Sequence, residues 1–241
     1  LMIKRFFDIV FSLFGLIVSS FILIPVIFLV WKQDKQLPFY ISARVGKNQK
    51  LFNMVKLRSM IINADQSGVN STGSNDLRIT SIGHFIRNYK LDELTQLWNV
   101  LLGDMSLVGP RPNVKNETDL YTHIEKNLLS IKPGITDFSS IVFSDEGDIL
   151  KNFSNPDLAY NQLIRPWKSR LGILYIENRS SWLDINLIFY TLVSIFSKKI
   201  ALNWVVRKLK LIHADKEIIN VAKRTSVLQP FPPPGLDKII S

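Results

Sequence analysis

The sequence predicts an α+β fold that is mainly helical, with an N-terminal membrane helix followed by a compact domain containing short strands. Three observations carry this prediction. Residues 9–31 form a long uncharged apolar run, residues 39–60 are typical of two strands around a turn, and apolar residues recur at helical spacing within residues 82–102. The 241 residues suffice for one large domain with an appendage. We therefore divide the chain into a membrane helix, a compact domain and a C-terminal tail, with bounds at residues 1–35, 36–207 and 208–241.

The composition limits the chemistry that the chain can perform. It contains no cysteine, which excludes disulfides, zinc–thiolate sites and cysteine nucleophiles. A formal net charge of +10 favours an anionic partner, namely nucleic acid, a membrane surface or a phosphorylated small molecule. Basic residues without interleaved aromatic residues or a known recognition motif argue against nucleic acid. The three histidines lack metal-ligand spacing, and the sequence has no glycine-rich phosphate loop.

The apolar run, IVFSLFGLIVSSFILIPVIFLVW, is long enough for a membrane helix, which needs roughly 20 apolar residues. It lacks the small-residue cleavage site of a signal peptide, so we expect it in the mature protein. Pro25 lies inside the run, where it removes a backbone donor and predicts a kink. Basic residues flank both ends, although a spanning helix usually carries its basic excess on one side. A re-entrant helix that bends at Pro25 explains both features, and a straight span with a tolerated proline is the alternative.

Turn residues and periodicity predict the remaining elements. Residues 39–60 should form two strands separated by a turn that begins at Gly46. Residues 157–165 predict a polar helix that ends at Pro166. Residues 182–199 predict an apolar helix, which is either a core helix or an amphipathic helix lying on the membrane. The proline-rich end of the tail should be extended and poorly ordered.

The helix predicted within residues 82–102 should end at Gly103, because glycine adopts the left-handed conformation that terminates helices. Its apolar period is interrupted just before Lys90. A second helix starting there would place Asp92 and Glu93 in its first turn. The apolar side chains expected to face the core are Leu91, Leu94, Leu97, Trp98 and Leu101.

Asp92 and Glu93 are the candidate chemical groups of the sequence. Adjacent residues on a helix point about 100° apart, so the two carboxylates cannot act symmetrically on one atom. The pair suits divided roles, in which one carboxylate attacks a phosphoryl group and the other holds a metal ion or a proton. Taken alone, such a pair is usually a solvated acidic face, and that is the alternative interpretation.

Cations around the pair favour an anion-binding site. Arg111 is held between two prolines in GPRP, which reduces the entropy that its guanidinium loses on gripping an anion, although a rigid surface turn is the alternative. Lys56 and Arg58 occupy alternate positions and share a face if their segment is a strand. Arg87 shortly precedes the acidic pair. Carboxylates among such cations are typical of a diphosphate site with a divalent ion.

Together these residues resemble the bacterial sugar transferase family, the monotopic phosphoglycosyl transferases. The resemblance covers roughly residues 3–192, in the blocks KRFFDIVFSLFGLIVSSFILIPVI, ARVGKNQKLFNMVKLRSM, NDLRITSIGHFIRNYKLDELTQLWNVLLGDMSLVGPRP and YIENRSSWLDINLIFYTL. In one departure, Thr95 replaces the proline of the family's LDELPQL pattern. In another, Asp137 follows KPGIT where the family commonly has glycine. Because the acidic pair is intact, we expect Thr95 to alter the helix locally without loss of chemistry.

The resemblance implies a reaction and a set of site residues. The family transfers a phospho-sugar from a UDP-sugar to polyprenyl (undecaprenyl) phosphate and releases UMP, as the initiating membrane step of polysaccharide or glycoconjugate synthesis. By resemblance, Asp92 is the nucleophile that forms a covalent phospho-sugar intermediate, Glu93 completes the pair, and both hold Mg²⁺. The residues implied to bind substrate phosphates are Lys56, Arg58, Arg87 and Arg111.

The resemblance also implies a location and partners. The membrane helix should be re-entrant, with its kink at Pro25, and the catalytic domain with amphipathic interfacial helices should face the cytoplasm at the inner membrane. The implied partners are a UDP-sugar, polyprenyl phosphate and the lipid bilayer, with no nucleic acid; a homo-oligomer is left open. Two alternatives from other classes are a noncatalytic basic membrane scaffold and a single-span membrane enzyme of another kind.

Overall fold

The computed structural model describes residues 2–69 and 71–240, which form the predicted, mainly helical α+β fold. The predicted membrane helix was bounded at residue 1 and the predicted tail at residue 241, and both positions lie outside the described residues. The helices are α1 Met2–Asp34, α2 Ser81–Asn88, α3 Leu91–Leu94, α4 Leu97–Leu102, α5 Lys115–Thr118, α6 Phe138–Val142, α7 Glu146–Leu150, α8 Pro156–Ala159, α9 Arg165–Asn178, α10 Ser181–Phe196, α11 Lys198–Leu211 and α12 Lys216–Lys223. The strands are β1 Phe39–Val45, β2 Leu51–Leu57, β3 Ser106–Val108 and β4 Gly134–Thr136. The predicted boundary between residues 207 and 208 falls inside α11.

Two small sheets organise the domain. Strands β1 and β2 form the predicted antiparallel hairpin, with Val45 opposite Leu51 at the turn. Strands β3 and β4 pair in parallel, although they are far apart in the sequence. Beside this pair Gly109 and Gly134 touch backbone to backbone, since a Cβ atom on Gly134 would lie 2.0 Å from the Gly109 nitrogen. This contact anchors the loop that begins at Gly109 and carries Arg111.

Helix α1 packs along the domain and runs without interruption through Pro25. At Gly15 it approaches α4 closely, because a Cβ atom there would lie 2.9 Å from a Leu97 methyl carbon. Its buried Asp8 carboxylate accepts hydrogen bonds from the Ser106 hydroxyl at 3.0 Å and from the Leu107 amide at 2.9 Å. The helix is therefore part of the tertiary structure over much of its length. The predicted kink at Pro25 stays a prediction.

Both ends of α1 are tied to the same domain by ion pairs. Near its start, Lys4 Nζ lies 2.5 Å from the Asp184 carboxylate of α10. At its end, Asp34 receives two hydrogen bonds from the Arg58 guanidinium at 2.6 and 2.7 Å. Since one domain holds both ends, it must extend along the whole helix.

Two helices present apolar side chains outward. Helix α1 is, within the described residues, the one helix long and apolar enough to cross a membrane, and its Phe21 is 81% exposed. Helix α10 buries Leu183 and Leu187 but leaves Phe189 and Phe196 exposed, the latter to 90%. The helix predicted over residues 182–199 thus forms but ends at Phe196, and it combines the two predicted alternatives: one face packs on the core and the other is free to contact lipid.

Three local predictions are wrong, each for a packing reason. Trp98 does not face the core and is 49% exposed, because the chain interrupts the helix after Leu94 and restarts it at Leu97. Pro166 does not end a helix. It stands at the second residue of α9, directly after a π-helical turn at Tyr160–Ile164, and the Gln162 carbonyl oxygen four residues earlier accepts from the Phe231 amide instead.

The third wrong prediction concerns the tail, which is extended but packs against the domain. Phe231 stacks on Trp167 with ring centroids 4.4 Å apart, and its amide donates to the Gln162 carbonyl oxygen at 3.0 Å. The Thr122 hydroxyl donates to the Pro234 carbonyl oxygen at 2.5 Å. These contacts hold the proline-rich segment on the surface near α9.

Candidate active site

The turn between α2 and α3 determines where the acidic pair lies. Lys90 adopts a left-handed conformation with φ 56°, which ends α2 and lets α3 begin at Leu91. Asp92 and Glu93 then occupy the first turn of α3, as the interrupted period predicted. Leu91 is buried against Ile86 of α2 and Val26 of α1. The single turn that carries the two carboxylates is thus fixed by its apolar neighbour.

Glu93 is held by Arg111. The Arg111 Nη1 atom donates to Glu93 Oε1 at 3.0 Å, which joins α3 to the loop after β3. Burial by itself raises the pKa of the Glu93 carboxyl, but the positive charges of Arg111, Lys90 and Lys56 outweigh it and leave the pKa below its usual value. Glu93 is therefore ionised near neutral pH and paired.

Asp92 is in a different state, although it is the next residue. Within residues 2–69 and 71–240, its carboxylate has neither a hydrogen bond nor an ion pair. Burial and the neighbouring Glu93 charge raise its pKa, and Lys56 acts against this. The two carboxylates thus differ in state, since Glu93 is held by Arg111 and Asp92 is unpaired.

Lys56 supplies a free cation beside the pair. It lies in β2, and its ammonium makes no hydrogen bond or ion pair to any described residue. Burial, together with the charge of Arg111, lowers its pKa to about 8, while the Asp92 charge acts in the opposite direction. A half-buried and unpaired ammonium is suited to receive a phosphate group.

The structure brings Arg87 to the pair but not Arg58. Arg87 donates from Nε to the Ser59 hydroxyl at 3.0 Å, and its charge acts on Asp92. Arg58 lies just outside β2, where its guanidinium pairs with Asp34 and donates to the Leu37 carbonyl oxygen at 2.9 Å. The prediction that Arg58 shares a face with Lys56 required both residues to lie in a strand, and β2 ends at Leu57, one residue before Arg58. Arg58 fastens the end of α1 instead of facing the acidic pair.

Charged residues from three further elements also act on this site. Glu146 of α7 pairs with Lys168 of α9, and its charge acts on Arg111. Arg44 of β1 is half-buried near Glu117, and desolvation lowers the pKa of its guanidinium. These groups come from distant elements, so no spacing in the sequence could have grouped them.

A magnesium ion fits the donors present, provided that it arrives with a phosphorylated substrate. The described residues hold no cluster of three or more His, Asp, Glu or Cys side chains. Mg²⁺ is commonly bound by one or two carboxylates, with waters and substrate phosphates completing its shell. The free carboxylate of Asp92 and the second oxygen of Glu93 match that donor set.

The lowered pKa of Lys56 predicts an alkaline limit to substrate capture. Below pH 8 the ammonium is charged, and as the pH rises through about 8 the cation is lost. We expect kcat/KM for an anionic diphosphate substrate to fall across this range, since kcat/KM reports ionisations of the free enzyme. The Lys56→Arg variant stays cationic, so its kcat/KM should not fall across this pH range, whatever its overall rate. If kcat/KM of Lys56→Arg falls across the same pH range, the fall does not come from the Lys56 ammonium.

A free carboxylate beside half-buried cations, on a domain fastened along an apolar helix, is typical of a membrane-associated protein that acts on phosphorylated substrates. The chain belongs to the bacterial sugar transferase family, whose sequence profile matches residues 1–198. The match contains α1, both sheets and the acidic pair. It ends at the start of α11, so most of α11, α12 and the docked tail lie beyond it.

Three curated relatives illustrate the similarity. The chain is 36% identical over 205 residues to galactosyl transferase CpsE of Streptococcus agalactiae serotype III (strain NEM316), covering 80% of this chain and 42% of the relative. It is 33% identical over 202 residues to UDP-glucose:undecaprenyl-phosphate glucose-1-phosphate transferase of Klebsiella pneumoniae, covering 82% and 41%. It is 31% identical over 191 residues to the uncharacterized sugar transferase EpsL of Bacillus subtilis (strain 168), covering 79% and 86%. The chain thus spans about two fifths of the first two relatives and most of the third.

Proposed function

We propose that the chain transfers a phospho-sugar from a UDP-sugar to polyprenyl phosphate and releases UMP, as the initiating membrane step of polysaccharide or glycoconjugate synthesis. The observation that carries this proposal is the divided acidic pair. Glu93 is ionised and bound to Arg111, whereas the free carboxylate of Asp92 lies beside the unpaired ammonium of Lys56. The Klebsiella pneumoniae relative is named for UDP-glucose and undecaprenyl phosphate, and this name supports the two proposed substrates.

The reaction consists of two displacements at one phosphorus atom. In the first, an Asp92 oxygen attacks the phosphorus that carries the sugar, the bond to the bridging oxygen breaks, and UMP leaves with that oxygen. This step forms an aspartyl phospho-sugar. In the second, an oxygen of the lipid phosphate attacks the same phosphorus and displaces the Asp92 carboxylate. The products are UMP and a polyprenyl diphospho-sugar, and no redox partner is needed.

The cations of the site offset the repulsion between a carboxylate nucleophile and an anionic diphosphate. We assign Lys56 and Arg87 to the substrate phosphates. Arg111 has two tasks, because it binds Glu93 and adds positive charge to the cleft. When bound, a magnesium ion held by Asp92 and Glu93 would neutralise charge on the leaving phosphate.

We propose further that α1 is re-entrant and that the domain faces the cytoplasm at the inner membrane. A straight helix from Lys4 to Asp34 would be about 45 Å long, whereas the hydrocarbon core of a bilayer is roughly 30 Å thick. The domain binds Lys4 through Asp184 and Asp34 through Arg58. A domain on one side of the membrane cannot hold both ends of a straight spanning helix. The two ion pairs therefore support entry and exit by one face, with the site at the surface where a lipid phosphate is found.

UMP release from a panel of UDP-sugars tests the proposed reaction. The chain, purified in lipid nanodiscs, should release UMP over many turnovers when undecaprenyl phosphate and Mg²⁺ are both present. Without the lipid phosphate it should release at most one UMP per chain, because the aspartyl phospho-sugar then has no acceptor. Undecaprenol, which lacks the phosphate, serves as the matched control. Sustained release without a lipid phosphate, or none with any UDP-sugar, would contradict the proposal.

A further inference from the structure

Thr95 follows the acidic pair at the position where the family pattern has proline, and its side chain is only 6% exposed. Its backbone φ is −67°, within the range to which proline is restricted. The threonine therefore keeps a backbone conformation that proline would also adopt. Threonine adds two groups that proline lacks: a backbone N–H, which donates to the Glu93 carbonyl oxygen, and the buried hydroxyl group.

The Thr95 hydroxyl joins the two segments that carry the proposed chemistry. Its Oγ1 lies 3.1 Å from the carbonyl oxygen of Val55 in β2 and 3.0 Å from the carbonyl oxygen of Asp92 in α3. The single hydroxyl proton is shared between these two acceptors. Val55 directly precedes Lys56 in the chain. One side chain thus connects the backbone beside the free cation to the backbone of the nucleophile.

This contact is one of several hydrogen bonds between side chains and the free edge of β2. Asn99 of α4 accepts a hydrogen bond from the Val55 amide at 3.0 Å and donates one to the Asn53 carbonyl oxygen at 2.7 Å. Strand β1 pairs with the opposite edge, since backbone groups of successive strand residues point to alternate sides. The side chains of Thr95, which directly follows α3, and of Asn99 in α4 therefore replace a third strand at this edge. Of the two side chains at this edge, Thr95 is the one that also donates to the Asp92 carbonyl oxygen.

We propose that Thr95 is a positioning residue whose hydroxyl fixes the separation between Lys56 and Asp92. This inference rests on the proposed function. When the hydroxyl is lost, the flexible Lys56 side chain should still reach a bound diphosphate, so substrate binding changes little. The phosphorus then lies out of line with the Asp92 carboxylate, and small misplacements of this kind slow a reaction strongly.

Thr95→Val removes the hydroxyl while keeping the shape of the side chain. In a single turnover without lipid phosphate, we expect UMP release to slow about tenfold and KM for the UDP-sugar to change less than about twofold. Thr95→Ser, which restores a hydroxyl, should return the rate to within about twofold of the original. The matched control is Thr118→Val, because Thr118 is also 6% exposed but donates to the nearby Lys115 carbonyl oxygen in α5. It should leave the rate unchanged.

Hydrogen–deuterium exchange at the Val55 amide gives a second readout that needs no activity. This amide donates to Asn99 on the same edge, so loosening the edge should speed its exchange about tenfold in Thr95→Val and not in Thr118→Val. Should the valine variant fail to fold, Thr95→Ala takes its place. Unchanged exchange, an unchanged rate, or a serine variant as slow as valine would each overturn the proposal. If the unaltered chain releases no UMP, the proposed function fails, while exchange at Val55 still shows whether Thr95 holds β2 to α3.

Discussion

Asp92→Asn should reduce UMP release by about 10⁴-fold or more, because the variant lacks the carboxylate oxygen that we propose as the nucleophile. Asparagine has nearly the same size, but its neutral amide is a poor nucleophile toward phosphorus. Among the described residues the Asp92 side chain has no hydrogen bond or ion pair to lose. Burial raises the pKa of this carboxyl, which means that the site disfavours its charge. We therefore expect the variant to fold with unchanged or slightly higher stability.

Intact-protein mass after incubation with a UDP-sugar, without lipid phosphate, measures the intermediate directly. The unaltered chain should gain the mass of one phospho-sugar, and Asp92→Asn should gain none. Asp148→Asn is the matched control, since Asp148 is an exposed carboxylate on α7 and should keep both the adduct and turnover. An Asp92→Asn variant that forms the adduct at a normal rate would refute the assigned nucleophile. A noncatalytic scaffold, by contrast, would show no adduct in any variant.

Cysteines introduced at Met2 and Gln36 should both be labelled from the same side of the membrane. These positions flank the two ends of α1, and each side chain is exposed. The chain has no cysteine of its own, so each introduced thiol is unique. The reason for the expected result is that Asp184 and Arg58 of one domain bind the two ends of the helix. An all-or-none difference in labelling separates a re-entrant helix from a straight span.

The measurement uses a membrane-impermeant maleimide on sealed vesicles of both orientations. In inside-out vesicles both cysteines should react, and in right-side-out vesicles neither should react until detergent is added. Labelling of Met2→Cys and Gln36→Cys from opposite faces would establish a straight span and reject the re-entrant proposal. It would also mean that the two ion pairs at the helix ends do not form together in the membrane.

Local patterns in the sequence were sufficient for several elements. The β1–β2 hairpin follows from strand residues around Gly46, and the helix end at Gly103 follows from its left-handed conformation, with φ 97°. The interruption before Lys90 correctly placed the acidic pair in the first turn of a new helix. Each of these features depends on the types of a few consecutive residues, which is why periodicity and turn chemistry could find them.

Packing overruled local patterns elsewhere. Trp98 kept the helical period of its neighbours but points outward, because α3 and α4 are separate helices joined by Thr95 and Gln96. Arg58 alternates with Lys56 in the sequence, yet it binds Asp34 because β2 ends at Leu57. In both cases the direction of the side chain depends on the residue at which a helix or strand ends. Such boundaries are the feature that local sequence patterns predict least well.

The residue types alone were sufficient to indicate an apolar membrane helix, an acidic pair on a helix turn and an excess of cations suited to phosphates. The tertiary structure decided which charges meet: Arg111 with Glu93, Asp34 with Arg58, and an unpaired Asp92 beside Lys56. It also decided that both ends of α1 are held by one domain and that the Thr95 hydroxyl joins α3 to β2. These pairings connect residues that are distant in the sequence. They depend on how the helices and strands pack together, and the pattern of neighbouring residues contains no information about that packing.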